Sequence, residues 1–217
     1  MESGLRRLRK GIRAAYHERL FDPEKGCYAD TSFNGKRSEH ISEHSNMAAI
    51  LWGLSEGEEA REIAEMLFVK KKQPFTLAEP FGTAVTLRAL DKAGLMNLSV
   101  RILKERWGTW MVDRGLTSTP EEWGMNGSFR SGSYQGIMRS LSHAWSAGPA
   151  QFLIHNVTGL QILKPGCGEI SLRPADIGAD YRIVCPLPQG NLIVENKRGE
   201  ISCRVSDGVK LVSVSRR

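Results

Sequence analysis

The chain has 217 residues, of which 41% are hydrophobic, and a formal net charge of +6. This is enough for one large domain, or for a medium domain with a small one, and the apolar fraction supports a real core. No run approaches the roughly 20 consecutive apolar residues of a membrane span, and the basic N-terminus lacks the apolar stretch of a signal peptide. The positive charges are scattered and no nucleic-acid motif accompanies them. We therefore expect a soluble, cytoplasmic chain with no nucleic-acid and no membrane partner.

Residues 1–160 are predicted to form paired antiparallel helices joined by short turns. Apolar residues recur at helical spacing, and turn residues end each run. The predicted helices cover residues 4–21, about 42–53, 56–69, about 79–93, about 96–112 and about 142–159. Ser42 is the N-cap candidate of the second helix, with Ser45 as an alternative. Before it, Cys27, Tyr28 and Ala29 are predicted to form a short extended piece, and the polar stretch up to Ser42 is predicted to be loop.

After Gly159 the hydrophobic period changes from that of helices to that of strands. Short alternating runs rich in β-branched residues are bounded by Pro-Gly, Gln-Gly, Arg-Gly and Asp-Gly turns. We predict a second domain at residues 161–217, an antiparallel sheet or small sandwich of five or six strands.

The stretch from Thr117 to Pro149 carries the residues best suited to chemistry. It holds two carboxylates, two tryptophans and a histidine, namely Glu121, Glu122, Trp123, His143 and Trp145. Carboxylates beside tryptophans are typical of carbohydrate sites, where aromatic faces stack on sugar rings and acids act on the glycosidic oxygen or on water. The alternatives stay open: two solvated glutamates in the first turn of a helix, and a histidine that caps or packs its turn.

Polar residues also begin two other predicted helices. Glu43 and His44 lie at the start of the second, and Glu79 precedes the helix that begins at Pro80. If these helices form the inner ring of an α/α toroid, their N-termini converge on one mouth. The polar residues would then line a single pocket with the stretch that follows Thr117.

Several other chemistries are disfavoured by the sequence. It shows no nucleophile elbow, no phosphate-binding glycine loop and no dinucleotide fingerprint. The glycine- and serine-rich residues 127–134 follow no strand, which argues against a phosphate site. The four cysteines are far apart with no CxxC pair, which argues against zinc. We expect no metal and no cofactor.

Three segments resemble the bacterial α-L-rhamnosidases of glycoside hydrolase family 78: SEHSNMAAILWGL, ERWGTWMVDRGLTSTPEEW and SLSHAWSAGPAQFL. GLQILKPGCGEISLRP resembles the start of that family's C-terminal β-domain, and the similarity runs from about residue 10 to about residue 195. The resemblance implies a multi-domain chain, α then β. Residues 1–160 would be a partial (α/α)6 toroid of antiparallel helix hairpins, and residues 161–217 a small antiparallel β-sandwich that ends early.

The resemblance also implies inverting hydrolysis of terminal α-L-rhamnose in an oligosaccharide or glycoside. An inverting enzyme uses one acid for the leaving oxygen and one carboxylate to activate water. The family's base lies in a motif that ends Glu-x-Trp, which maps onto Glu121. Pro120 stands where the family has an aromatic residue, so Glu122 is the alternative. The predicted substrate contacts are His143, a sugar-hydroxyl contact in the family, together with Trp123, Trp145, Glu43, His44 and Glu79.

The general acid of this family lies in the earlier half of the toroid, and the chain matches the family from near the middle of that domain. The resemblance therefore assigns no residue here to the acid, and it implies that about six of twelve helices lie elsewhere. Such a half-toroid exposes apolar helix faces. We expect a hydrolase fragment that is inactive or nearly so alone. The alternative is a carbohydrate-binding or assembly module that pairs with a chain supplying the first half.

Overall fold

The computed structural model describes residues 2–71, 74–124 and 139–215. The helices in these ranges are α1 (Glu2–Leu20), α2 (Glu43–Leu51), α3 (Gly57–Glu65), α4 (Pro80–Lys92), α5 (Met96–Leu103) and α6 (Gly148–Phe152). Wider π-helical turns extend α3, α5 and α6, at Met66–Lys70, Lys104–Val112 and Leu153–Val157. The predicted helices are confirmed except at one start, because a 3₁₀ turn at Ala144–Ala147 precedes α6 where the sequence predicts helix from Ser142. No helix in the described ranges is long and apolar enough to cross a membrane.

Two short hairpins lie between α1 and α2. Strand β1 (Phe21–Asp22) pairs with β2 (Cys27–Tyr28), and β3 (Ser32–Phe33) pairs with β4 (Lys36–Arg37). The prediction that the stretch up to Ser42 is only loop is therefore wrong. Asn34 and Gly35 adopt φ values of 48° and 75°. An Asn-Gly pair favours such a tight hairpin turn, because both residues tolerate positive φ.

The N-terminus of α2 is fixed as the sequence predicts. The Ser42 side chain accepts a hydrogen bond from the Ser45 backbone N–H, as an N-cap does. Asp30 in turn accepts hydrogen bonds from both serine hydroxyls, at 2.7 and 2.6 Å. Helix α4 starts with Pro80 in its first turn, where a missing N–H costs nothing. Both helix starts are therefore held by local chemistry.

The helical region has one hydrophobic core, and helices α2 to α5 with the π-helical turns that extend α3 and α5 all contribute buried apolar side chains to it. Its largest fully buried side chains include Trp123, Tyr28, Phe152, Met47, Ile50, Leu87 and Leu90. Helices α4 and α6 approach closely at Gly148. A Cβ added there would lie 2.4 Å from the Ala84 Cβ. This close approach brings the turn before α6 against the start of α4.

Six strands follow, at the positions that the sequence predicts. They are β5 (Gln161–Ile162), β6 (Glu169–Leu172), β7 (Tyr181–Leu187), β8 (Gly190–Lys197), β9 (Glu200–Val205) and β10 (Lys210–Val214). They form two three-stranded sheets, with strand orders β10-β6-β5 and β7-β8-β9. Only the second sheet is wholly antiparallel, since β10 runs parallel to β6. A parallel pair needs a long crossover, and the β7–β9 meander supplies it.

Gly159 joins the helical region to the sheets. Its carbonyl accepts from the Arg173 N–H at 3.2 Å, and Ala175 donates to the Val157 carbonyl at 2.8 Å. A Cβ at Gly159 would lie 2.2 Å from the Arg173 oxygen, and the residue has a φ of 65°. Only glycine fits both the conformation and the approach. The two regions are therefore tied backbone to backbone.

Candidate functional site

The N-terminal ends of α2 and α4 lie side by side. Glu43, the first residue of α2, accepts a hydrogen bond from the Ala78 N–H at 2.9 Å. The exposed ring of His44 lies against Gly82 in the first turn of α4, because a Cβ on that glycine would be 2.8 Å from the His44 Nε2. The structure therefore brings together the two helix starts that the sequence predicts to converge.

The turn before α6 meets the same surface. The rings of Phe81 in α4 and Trp145 stack at a tilt of 34°, with centroids 5.2 Å apart. The His143 ring meets Trp145 edge-on, with centroids 4.1 Å apart. Phe81 is 56% exposed and Trp145 is 48% exposed. The predicted contacts His143 and Trp145 thus share an open aromatic surface with Phe81. The sequence prediction missed Phe81, although it directly follows Glu79-Pro80 at the helix start.

Residues 118–121 and 140–143 are held together by backbone hydrogen bonds. Glu121 donates from its N–H to the Ser140 carbonyl at 2.8 Å, and His143 donates to the Thr119 carbonyl at 2.7 Å. The Thr119 hydroxyl donates back to the His143 carbonyl at 3.2 Å. This pairing joins the predicted base and the predicted sugar contact into one wall, although residues 125–138 between them lie outside the described ranges.

Both candidate bases face Arg139. A guanidinium nitrogen lies 3.8 Å from the Glu121 Oε1, and the Arg139 Nε lies 3.5 Å from the Glu122 Oε2. The two carboxylate side chains are 28% and 21% exposed. Both can therefore meet water, and they share one cation.

Trp123 occupies a different environment from the one predicted for a sugar-stacking ring. It is 2% exposed, and its ring packs edge-on against Trp107 and Trp110, with centroids 4.9 and 5.5 Å away. The indole N–H donates to the Ala78 carbonyl at 2.8 Å. Its backbone N–H donates to Glu79 at 2.9 Å. The ring has no face open to a sugar in this arrangement, and it anchors the segment that carries the two glutamates.

Glu43 is also an internal residue. Its side chain is completely buried, and Arg106 donates to both of its carboxylate oxygens at 2.9 Å. The Thr86 hydroxyl and the Ala78 N–H also donate to it. These protein groups take the place that a sugar hydroxyl would need, so the structure offers Glu43 no direct substrate contact. Arg106 was not among the predicted site residues.

Glu79, the N-cap residue of α4, lies beside the segment that carries Glu121 and Glu122, because its carboxylate accepts the Trp123 N–H at 2.9 Å. Desolvation by the surrounding protein raises its pKa above the ordinary carboxyl value. The Trp123 N–H opposes this rise, the charge of Glu122 adds to it, and the cations Arg139 and Arg106 oppose it. The net effect is a raised pKa. Glu79 therefore holds a proton more readily than an ordinary glutamate does.

The predicted absence of a metal or cofactor stays a prediction. Across the part of the chain that the structure describes, no group of three or more His, Cys, Asp or Glu residues could hold a metal ion. Residues 125–138, including the disfavoured phosphate segment 127–134, lie outside the described residues.

The sequence and the fold resemble those of one group of known proteins. A family model described as the bacterial alpha-L-rhamnosidase 6 hairpin glycosidase domain matches residues 4–157. A solved rhamnosidase from Klebsiella oxytoca, with rhamnose bound, is 26% identical, with a TM-score of 0.60 over 70% of this chain and 28% of that one. No curated protein matches the chain.

Two further solved structures share the fold. The family 78 rhamnosidase of Bacillus sp. GL1 has a TM-score of 0.70 and 23% identity, over 94% of this chain and 23% of that one. The Streptomyces avermitilis alpha-L-rhamnosidase, complexed with L-rhamnose, has a TM-score of 0.64 and 19% identity, over 95% and 20%. The chain thus spans about a quarter of these proteins. A helical hairpin domain followed by mainly antiparallel sheets fits their fold, while a toroid and a sandwich stay predictions.

Proposed function

The chain belongs to the bacterial α-L-rhamnosidases with a six-hairpin glycosidase domain, and we propose that it supplies the general-base side of a rhamnosidase site. The reaction is inverting hydrolysis of a terminal α-L-rhamnose in an oligosaccharide or glycoside. One carboxylate takes a proton from water as the water oxygen attacks the anomeric carbon. A carboxylic acid outside these 217 residues gives its proton to the leaving oxygen. Within the chain, no step requires a metal or cofactor.

The observation that carries this proposal is the wall formed by residues 118–121 and 140–143. It holds the Glu121 backbone opposite Ser140 and the His143 backbone opposite Thr119. Part-exposed carboxylates therefore stand on the same wall as an imidazole and, through Trp145, an open pair of aromatic rings. Aromatic faces suit the apolar face of a sugar ring, and His143 suits one of its hydroxyls.

Glu121 is the better candidate for the base than Glu122. Its backbone is fixed by the hydrogen bond to Ser140, and its side chain is the more exposed of the two. A base has to reach water and keep a fixed position relative to the sugar. The Glu-x-Trp motif, with Trp123 anchored in the interior, favours the same assignment.

A substrate that needs no general acid tests this half-site. Fluoride leaves α-L-rhamnosyl fluoride without protonation, so we expect the chain to release fluoride and form β-L-rhamnose. Glu121→Gln should slow this release about 100-fold or more, since a general base contributes a factor of this order. Glu122→Gln, the matched control, should retain the rate within about threefold. Fluoride electrode readings and proton NMR of the product measure both properties.

The same assay can contradict each part of the proposal. Equal rates for Glu121→Gln and the unaltered chain would remove Glu121 as the base, and loss of activity only in Glu122→Gln would move the role there. Hydrolysis of methyl α-L-rhamnoside by the chain, abolished by Glu121→Gln, would show that the acid lies within the 217 residues. No fluoride release and no rhamnose binding by NMR would reject the proposed function itself.

One observation favours the alternative of an assembly module. Leu5, Leu8 and Ile12 repeat at helical spacing along α1 and are 63%, 59% and 52% exposed. An apolar stripe on a helix normally packs against another element. The occupant that fits is a set of preceding helical hairpins, on this or on a separate chain.

Sizing chromatography distinguishes the assembly role. The chain is mixed with a separately expressed first half of a six-hairpin domain, and we expect a complex that Leu8→Glu abolishes. The control is Arg7→Glu, which also makes α1 more negative but at an exposed polar position beside the apolar stripe. A complex that survives Leu8→Glu, or the absence of any complex, would count against this surface as the assembly face.

A further inference from the structure

The ion pair between Glu43 and Arg106 is enclosed by the protein. The two side chains are 0% and 4% exposed, and 63 residues of sequence separate them. Arg106 also donates to the Thr83 hydroxyl at 2.7 Å, while Thr86 donates to Glu43. A buried pair of this kind brings a large desolvation cost, and hydrophobic replacements are often no less stable. Stability alone is therefore a poor explanation for it.

The first connection from this ion pair to the site passes through Ala78. The Ala78 N–H donates to Glu43 at 2.9 Å. The Ala78 carbonyl accepts from the Trp123 indole N–H at 2.8 Å and from the Thr83 hydroxyl at 2.9 Å. The carboxylate and the indole are thus bonded to opposite ends of one buried residue. A shift of Glu43 would shift the acceptor that holds Trp123.

The second connection passes through the π-helical turn Lys104–Val112. Arg106 lies over the Trp110 ring, 5.8 Å from its centroid, and Trp110 packs against Trp123. Trp107 on the same turn also packs against Trp123 and donates its indole N–H to the Ser146 carbonyl at 2.8 Å. One turn therefore contacts both the segment with the glutamates and the residue that follows Trp145.

We propose that the buried Glu43–Arg106 pair is a positioning device, which fixes Ala78 and Trp110 and through them Trp123 and the two neighbouring glutamates. Both partners act through other residues and neither touches the substrate. The role of the glutamates in this statement rests on the proposed function, whereas the positioning of Trp123 does not. The groups that contact the pair are Thr83 and Thr86 on α4, Ala78 just before α4, and Trp110 on the π-helical turn.

The Trp123 indole N–H reports the positioning directly. In ¹⁵N-labelled protein its resonance is assigned by comparison with Trp123→Phe. We expect Arg106→Met to shift this resonance and to raise its hydrogen-exchange rate at least tenfold, while the amide of Val194 in the sheet region stays unchanged. Lys104→Met, which removes an exposed cation from the same turn, is the matched control and should change neither. With α-L-rhamnosyl fluoride, Arg106→Met should lower kcat at least tenfold and change KM less.

A double variant addresses the case in which Arg106→Met fails to fold. Glu43→Leu with Arg106→Met removes both charges of the pair, so no unpaired partner stays buried and the variant is expected to fold. It leaves Ala78 without its carboxylate and should keep the fast indole exchange. Slow exchange and full fluoride release in the double variant would overturn the proposal, as would an unaltered indole signal in folded Arg106→Met. If the unaltered chain releases no fluoride, the proposed function fails, and the exchange rates still decide the positioning of Trp123.

Discussion

The helical region and the sheet region bury very different kinds of side chain. The helical region encloses Ser42, Glu43, Asn46, Ser55, Thr83, Thr86, Asp91, Ser99, Arg106, Ser146 and Thr158. In the described part of the sheet region, the buried polar side chain is Asn196. Its ion pairs are at the surface, where Glu169 meets two lysines and Glu195 meets two arginines.

This difference shows where the fold uses buried polar groups to fix the positions of other residues. A buried polar group costs free energy unless it is hydrogen-bonded, and a sheet that alternates apolar and polar residues avoids that cost. In the helical region several such groups, among them Glu43, Thr83 and Thr86, lie near the starts of α2 and α4 beside the candidate site. The buried polar groups there hold backbone and ring positions that apolar packing alone would leave less defined. The buried side chains of the sheet region are apolar apart from Asn196, so apolar packing holds this region together.

The largest contrast is expected between two buried asparagines. Asn46 accepts from the Tyr28 N–H at 2.8 Å and donates to the Tyr28 and Ser42 carbonyls at 3.0 Å. Asn196 accepts from the Gly199 N–H at 3.0 Å, and its two donated bonds, to Asp176 and the Ala179 carbonyl, are longer, at 3.4 and 3.5 Å. We expect Asn46→Ala to lower the free energy of unfolding by about 3 kcal/mol and Asn196→Ala by about 1 kcal/mol. Urea titrations measure both, and equal losses would remove the contrast.

The junction between the regions gives the next effect. Gly159 and Gly178 have nearly equal φ values of 65° and 67°, but only Gly159 has backbone atoms where a Cβ would stand. Gly178→Ala should therefore cost only the left-handed conformation, about 1–2 kcal/mol. Gly159→Ala should add about 1–3 kcal/mol for overpacking against Arg173. Thermal unfolding compares them, and indistinguishable midpoints would mean that the close approach carries no cost.

The smallest effect is a difference in pH dependence between two carboxyl groups. Desolvation raises the pKa of Glu79. The contribution of this carboxyl group to the free energy of unfolding is therefore greatest when it is protonated and declines as pH rises through its raised pKa. The two lysines lower the pKa of Glu169, so its contribution is lost as pH falls through its lowered pKa. Glu79→Gln should increase stability at neutral pH by less than about 1 kcal/mol.

Stability measured from acid to neutral pH separates these two carboxyl groups. Relative to the unaltered chain, Glu79→Gln should gain stability as pH rises, and Glu169→Gln should lose it. The amide oxygen introduced by Glu79→Gln can still accept the Trp123 N–H, so the change isolates the charge. Curves that run parallel to that of the unaltered chain would show that neither carboxyl group contributes to the pH dependence.

Local patterns predicted the elements well. The helical period of the apolar residues, the turn residues and Ser42 predicted the helices. The alternation of apolar and polar residues predicted strands β5 to β10. The hairpin at β3 and β4 could also have been predicted, since Asn34-Gly35 is a typical turn signal. The parallel pairing of β10 with β6 could not, because it joins strands across the whole meander and depends on tertiary packing.

The candidate site was predictable in which segments meet more than in its contacts. Polar residues at helix starts predicted that the N-terminal ends of α2 and α4 lie together, as they do. The segment that resembles the rhamnosidase family predicted a catalytic role for Glu121, which stays a prediction. The burial of Trp123 and Glu43 was not predictable, because both follow from partners far away in sequence. Arg106 lies within a segment that resembles the family, but no neighbouring residue in the sequence indicates that its partner is Glu43.

The turn Lys104–Val112 has a consequence for how the site forms during folding. The bonds that converge on Trp123, Glu43 and Ser146 join residues 35 to 63 positions apart in sequence. The β7–β8 hairpin, by contrast, closes over a turn between Leu187 and Gly190. Non-local contacts form only after long loops have closed, at an entropic cost. We therefore expect the bonds of the candidate site to form later in folding than the β7–β8 hairpin, which can form from its own turn.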